Sequence, residues 1–238
     1  MSANIEGQLS PGERQLLSDT IRNMPEKPRT IVEVGTWLGG GSTFHILRAL
    51  HENGVGRLWG VEADKDIYEK MIANIRAAVP EAADRFTPLL GMSNQVLPDW
   101  LKRLPEGTEI DLAFLDGGEN PGEQIEEFNI LADHIKTGGI LLSHDGWTRK
   151  GKWLVPYVSL LDNWEAQVFE LSPYGLFHAR KLKPQPSAAS RQAAQRKLSR
   201  MRLQPLEFAA RYTPSWLCGF LLRAMPKKLA RKLVIGKD

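Results

Sequence analysis

Four acidic residues stand where short apolar runs of this chain come to an end. Glu33 interrupts the β-branched run "TIVEV" and is followed within a few residues by Gly35, Gly39, Gly40, Gly41 and Ser42. Glu62 closes "GVE", Asp116 closes "IDLAFLD", and Asp145 closes "TGGILLSHD" with His144 just before it. A further apolar run ends in "LLGMSNQ", where Met92 and Ser93 begin a small polar stretch. A carboxylate at the end of a buried strand must be solvated or paired. Several on one edge of a sheet therefore describe a receptacle. Glu62 has the position from which an acid accepts hydrogen bonds from ribose hydroxyls. His144 titrates near neutrality and is a candidate base at the mouth; strand alternation offers the other reading, with its side chain turned into packing or solvent.

The glycine turn narrows the ligand. A phosphate-cradling loop needs a lysine with Ser or Thr after its glycines, and "GGGST" has no lysine. A dinucleotide fingerprint is G-x-G-x-x-G, whereas the spacing here is Glu33-x-Gly35-x-x-x-Gly39. Taken alone, the glycines also fit a plain tight turn. The expectation is that Gly39, Gly40 and Gly41 let backbone approach a ligand and leave amides free at a helix N-terminus, where an anionic group is favoured.

These positions depend on their elements. "SPGERQLLSDTIRNM" predicts a helix with Ser10 as cap, Pro11 in its first turn and Glu13 completing a capping box. From residue 30 the pattern alternates strand and helix through a fifth strand ending at Asp145. "WEAQVFEL", "SPYG" and "LFHARKL" then read as strand, turn and strand. The central strands lack polar alternation, as strands covered on both faces do. The fold class is α/β: a Rossmann-like doubly wound sheet over residues 30–182, preceded by a helical segment 1–29 and followed by a basic, mainly helical extension 183–238. Ligands of such sheets bind at the carboxyl ends of the strands.

Composition sets outer bounds. The single cysteine, Cys218, allows no internal disulfide and suits a reducing cytoplasm. No apolar run is long enough for a membrane span, and the N-terminus is too polar for a secretory signal. The net charge of +3 hides an asymmetry: residues 183–238 carry 13 Lys and Arg against 2 Asp and Glu, so the rest of the chain is acidic. The basic pI thus describes the extension and not the candidate site.

In order, "VEVGTWLGGGS", "GVEAD", "LLGMSNQVLP", "IDLAFLDGG" and "TGGILLSHD" resemble the successive motifs of class I S-adenosylmethionine-dependent methyltransferases, most closely the catechol-type small-molecule O-methyltransferases. The resemblance implies S-adenosylmethionine as cofactor. Glu33, Gly35 and Gly39 would shape the pocket for its methionine part, Ser42 would lie near the carboxylate, and Glu62 would hold the ribose. Met92 and Ser93 would flank the adenine, and Asp116 would lie beside the sulfonium. It also implies roles for Asp116 and Asp145 as ligands of Mg2+ or another divalent cation, so that the catalytic candidates are Asp116, Asp145 and, from its own chemistry, His144. Two departures stand out. Gly146 occupies the position of a ligand amide, and the catalytic lysine expected just after Asp116 is missing from "DGGENPG", where Glu119 and Asn120 stand instead. The implied function is O-methylation of a hydroxyl on a small-molecule or saccharide acceptor. The alternatives are a nucleic-acid methyltransferase using the basic extension and a non-catalytic cofactor-binding scaffold.

Within the extension, Trp216, Leu217, Phe220, Leu221 and Leu222 lie close to Lys227, Lys228, Arg231 and Lys232. That combination fits a helix on an anionic membrane surface. It also fits a homo-oligomer interface or acceptor lid; nucleic acid is the weaker reading.

Overall fold

The computed structural model describes residues 5–118 and 120–202. Seven strands form one sheet in the order β3-β2-β1-β4-β5-β7-β6. They are β1 (Thr30–Val34), β2 (Arg57–Glu62), β3 (Phe86–Leu90), β4 (Ile110–Leu115), β5 (Ile135–Ser143), β6 (Trp164–Phe169) and β7 (Leu176–Lys181). The first five pair in parallel, and β7 runs antiparallel between β5 and β6. The helices are α1 (Pro11–Asn23), α2 (Thr43–Asn53), α3 (Lys65–Ala78), α4 (Ser93–Arg103), α5 (Pro121–Leu131), α6 (Gly151–Val158) and α7 (Ala188–Arg202). The doubly wound sheet and its closing hairpin thus follow the sequence reading.

Local chemistry explains the boundaries. Ser10 and Glu13 form the complete capping box at α1. The side chains of Asp64 and Asn120 accept from free amides at the starts of α3 and α5, and Gly54 ends α2 in the left-handed conformation. Every residue of β1 and β4 is buried. Along β4, Leu112 and Phe114 enter the core on one face of the sheet, while Ala113 and Leu115 enter the core on the other. That two-sided burial explains the unbroken apolar runs.

Register then sets the site. Val34 of β1 lies beside Val61 of β2 and Leu115 of β4. Beyond that row, Gly35 donates to the Val61 carbonyl at 2.9 Å, Asp116 to that of Val34 at 2.8 Å, and His144 to that of Leu115 at 3.0 Å. The strand-end residues are thereby held side by side on the carboxyl edge.

The sequence boundary at residue 183 does not mark where packing ends. Ala194, Leu198 and Met201 of α7 are buried in the same core cluster as Trp153, Tyr157 and Trp164. The apolar-and-basic segment read as a membrane surface, oligomer interface or lid lies outside the described residues. No helix among the described residues is long and apolar enough to cross a membrane.

Candidate active site

Glu33 is the deepest of the strand-end acids. It is fully buried, and it accepts hydrogen bonds from Ser42 Oγ and, at 2.8 Å, from Thr43 Oγ1. Burial pushes its carboxyl up to about 8, against the downward pull of these two hydroxyls. A neutral Glu33 clips the start of α2 to β1 from behind. The sign for stability follows. The unfolded chain loses this proton near 4.5 and the folded chain holds it to about 8. Stability therefore falls as pH rises through that window, by roughly 5 kcal/mol at most. A Glu33→Gln variant is expected to lose that slope, so urea unfolding at pH 5 and pH 8 should show wild type losing stability relative to the variant.

The glycines divide the work between them. Gly35 has φ 87°, and a Cβ there would meet Gly117 Cα and N at 2.6 Å. It is required where β1 and β4 converge beneath the ligand edge. At Gly40 a Cβ would meet the carbonyl oxygens of Ile5 and Glu6 at 2.3 and 2.4 Å. The glycine-rich turn thus admits the chain's own N-terminal segment at Gly40, a correction to the expectation that its openness serves a ligand. Ser42 caps nothing, because its hydroxyl is committed to Glu33.

A cavity of about 370 Å³ opens at this edge. Of the residues expected around a cofactor, Gly35, Glu62, Met92, Ser93 and Asp116 lie on its wall. Glu33, Gly39 and Ser42 are not on it. Glu62 is oriented by backbone: one oxygen accepts from Trp37 N at 2.9 Å, the other from Ala63 N at 2.9 Å and Asp64 N at 3.1 Å. Trp37 itself sits at φ 45°, a conformation rare for a bulky residue.

Beside the cavity lies a charged cluster. His144 is buried, and its Nδ1 is 3.3 Å from Asp116 Oδ1 and 3.7 Å from Asp145 Oδ2. Its Nε2 faces Glu13 Oε2 at 3.6 Å. The ring therefore turns toward its acidic neighbours, so the packing-or-solvent alternative fails. Burial alone would lower its pKa, but Asp116 and Glu13 overrule it and raise it to about 10. The imidazole is thus charged at neutral pH and, in this state, is no base. Burial also works to raise Glu13, but His144 and Ser172 win and hold it down near 2. Asp145 occupies φ 65°, a second left-handed non-glycine residue at the site.

Two participants escaped the sequence reading. Lys150, at the cap of α6, brings Nζ to 3.3 Å from Asp145 Oδ2 and 3.7 Å from Asp116 Oδ1. An ammonium thus reaches the acids from another element than the one where a lysine was expected. Glu13 was read only as a helix cap; its contact with His144, across more than a hundred residues, has no local signature. Trp153 and Tyr157, which follow β5 on α6, are buried in the core. Glu119 lies outside the described residues.

Asp116, His144 and Asp145 each offer one ligand atom, all within 4.8 Å of one another. Two carboxylates and an imidazole suit a divalent cation once the imidazole is neutral. The buried Glu13 carboxylate behind Nε2 is the kind of partner that orients a ligating histidine.

Residues 32–146 match the model of a family described as a methyltransferase domain. No curated protein matches the chain in sequence. Among solved structures, the chain is similar to the O-methyltransferase TomG from Streptomyces achromogenes, solved in complex with SAM: TM-score 0.62, 19% identity, covering 74% of this chain and 82% of that one. A putative O-methyltransferase from Klebsiella pneumoniae gives TM-score 0.61 at 19% identity, over 74% and 82% of the two chains. The O-methyltransferase from Bacillus cereus in complex with SAH gives TM-score 0.58 at 20% identity, over 74% and 83%. At these identities the structural likeness is one of fold.

Proposed function

We propose that this chain, whose residues 32–146 match a methyltransferase-domain model, moves the methyl group of S-adenosylmethionine to a hydroxyl on a small-molecule or saccharide acceptor. The observation that carries the reading is the union of the cavity with the acidic cluster: Asp116 belongs to both. Glu62 stands on the cavity wall, oriented by three backbone amides, and its longest contact, from Thr36 Oγ1 at 3.4 Å, is the one a ribose hydroxyl would replace. The wall also carries Asp116, Glu123 and Glu126, an acid-rich surface that favours a sulfonium. The product after transfer is a neutral thioether, so that attraction weakens when the methyl leaves.

In the transfer, the acceptor oxygen attacks the methyl carbon in line, the new C–O bond forms as the C–S bond breaks, and the electron pair stays on sulfur. The chain's main contribution is alignment. The acceptor's proton needs a destination. His144 is already protonated, so the nearest acceptors are the carboxylates of Asp145 and Asp116. The imidazolium and the Lys150 ammonium offset the negative charge that develops on the acceptor oxygen. Asp116 and Asp145 would hold a divalent cation, with a neutral His144 as a third ligand where the ion accepts nitrogen, and the ion would lower the pKa of a bound hydroxyl.

Incubation with S-adenosylmethionine labelled on the methyl tests the proposal, using a panel of phenols, catechols, sugars and glycosides, with and without a chelator. Label recovered as a methyl ether supports it. Label found only on amines or nucleic acid, or no transfer to any hydroxyl, contradicts it.

A further inference from the structure

Glu127 of α5 is a buried acid that the transfer chemistry does not use. Its residue is 2% exposed, yet it stands on the cavity wall. Ser93 Oγ donates to Glu127 Oε1 at 2.8 Å. The other oxygen, Oε2, is buried without a hydrogen-bond partner. A carboxyl oxygen shut away from water and left unpaired is costly, and a leucine would fill the same space without that cost. A purely structural clasp on Ser93 needs only one of the two oxygens. Burial also raises this carboxyl to about 7, against the pull of the Ser93 hydroxyl, and Glu123 and Glu126 add to the rise. The site is therefore held at some expense and is incomplete by itself.

The placement says what would complete it. Glu62 stands at the end of β2, and Met92, Ser93 and Asn94 stand beyond β3 on the same wall. If Glu62 takes the ribose, the base lies toward Ser93 and Glu127. Among the groups a purine offers at that end, the complement of an unpaired carboxyl oxygen is an N–H donor. Methionine 92 is half-exposed and offers an apolar surface to the ring, but it cannot distinguish one purine from another.

We propose that Glu127 reads the exocyclic amine of the nucleoside base, its free oxygen accepting an N–H of adenine while Ser93 holds the other oxygen. Glu127 is thus a specificity-determining residue for the cofactor and not a catalytic one. The inference rests on the S-adenosylmethionine reading above. It goes beyond it by assigning base selection to a side chain from α5, an element that contributes no strand-end motif.

The test is calorimetric titration of the full chain with S-adenosylhomocysteine and with its analogue carrying hydrogen in place of the 6-amino group. Wild type should prefer the amine by about 30-fold, the value of one hydrogen bond to a buried carboxyl group. Glu127→Leu should bring the two ligands within about threefold of each other, with far-UV circular dichroism confirming that the variant is folded. Glu127→Ala serves as the second variant. A wild-type protein that binds both ligands equally overturns the inference, and so does a folded Leu or Ala variant that keeps the wild-type ratio. Failure of wild type to bind S-adenosylhomocysteine at all is a different result, because it removes the cofactor reading on which the inference stands.

Discussion

Asp145→Asn is expected to slow methyl transfer by about a thousandfold while leaving the affinity for S-adenosylhomocysteine within about threefold of wild type. Asp145 is not on the wall of the cavity, so the cofactor should not miss its charge. It does face the cluster, 3.3 Å from Lys150 and 3.7 Å from His144. Whether it accepts the acceptor's proton or helps to hold a cation, the charge is lost and the shape kept. General acid–base contributions alone amount to about 10²–10⁴ in rate. Asparagine is the informative replacement because Asp145 lies at φ 65°, which asparagine tolerates better than alanine. The measurement is kcat alongside a calorimetric Kd. A variant that keeps full activity would remove Asp145 from the chemistry.

Gly35→Ala should be as damaging for a different reason. The added methyl would lie 2.6 Å from Gly117 N and Cα and 2.7 Å from the Asp116 carbonyl carbon, and all three are backbone atoms. No side chain can swing aside to relieve the contact. The φ of 87° adds strain of roughly 1–3 kcal/mol before the clash is counted. Relief requires β1 to part from the end of β4, and with them Gly35 and Asp116 on the cavity wall. The expected result is a fall in Tm of at least about 5 °C and loss of measurable S-adenosylhomocysteine binding. Thermal unfolding with and without the ligand checks both.

Much of this architecture could be read from the chain because its signals are local. The all-apolar strands, the capping box at Ser10 and Glu13 and the glycine end of α2 each report on residues a few places apart. The strand-end acids were legible for the same reason: a carboxylate that terminates an apolar run has one geometric meaning in a parallel sheet. What escaped were meetings that depend on three dimensions. Glu13 reaches His144 because α1 packs near the carboxyl edge, and its role as a cap concealed a second one. Lys150 substitutes in space for a lysine absent from the expected position in sequence. Gly40 was assigned to a ligand when the chain's own residues Ile5 and Glu6 press on it. His144 was a plausible base by residue type, and only the count of surrounding carboxylates reverses its protonation. The sites of Glu33 and Ser42 illustrate the same limit. Each was assigned separately to the cofactor pocket, and spacing alone does not say that they bond to each other, off the cavity wall.

Direct binding of the cofactor decides the account. Isothermal titration of the full chain with S-adenosylhomocysteine should give one site per chain with micromolar affinity, and a Glu62→Ala variant should bind at least tenfold more weakly. No heat and no thermal stabilisation with either S-adenosylmethionine or its demethylated product, in a protein shown to be folded, would contradict it.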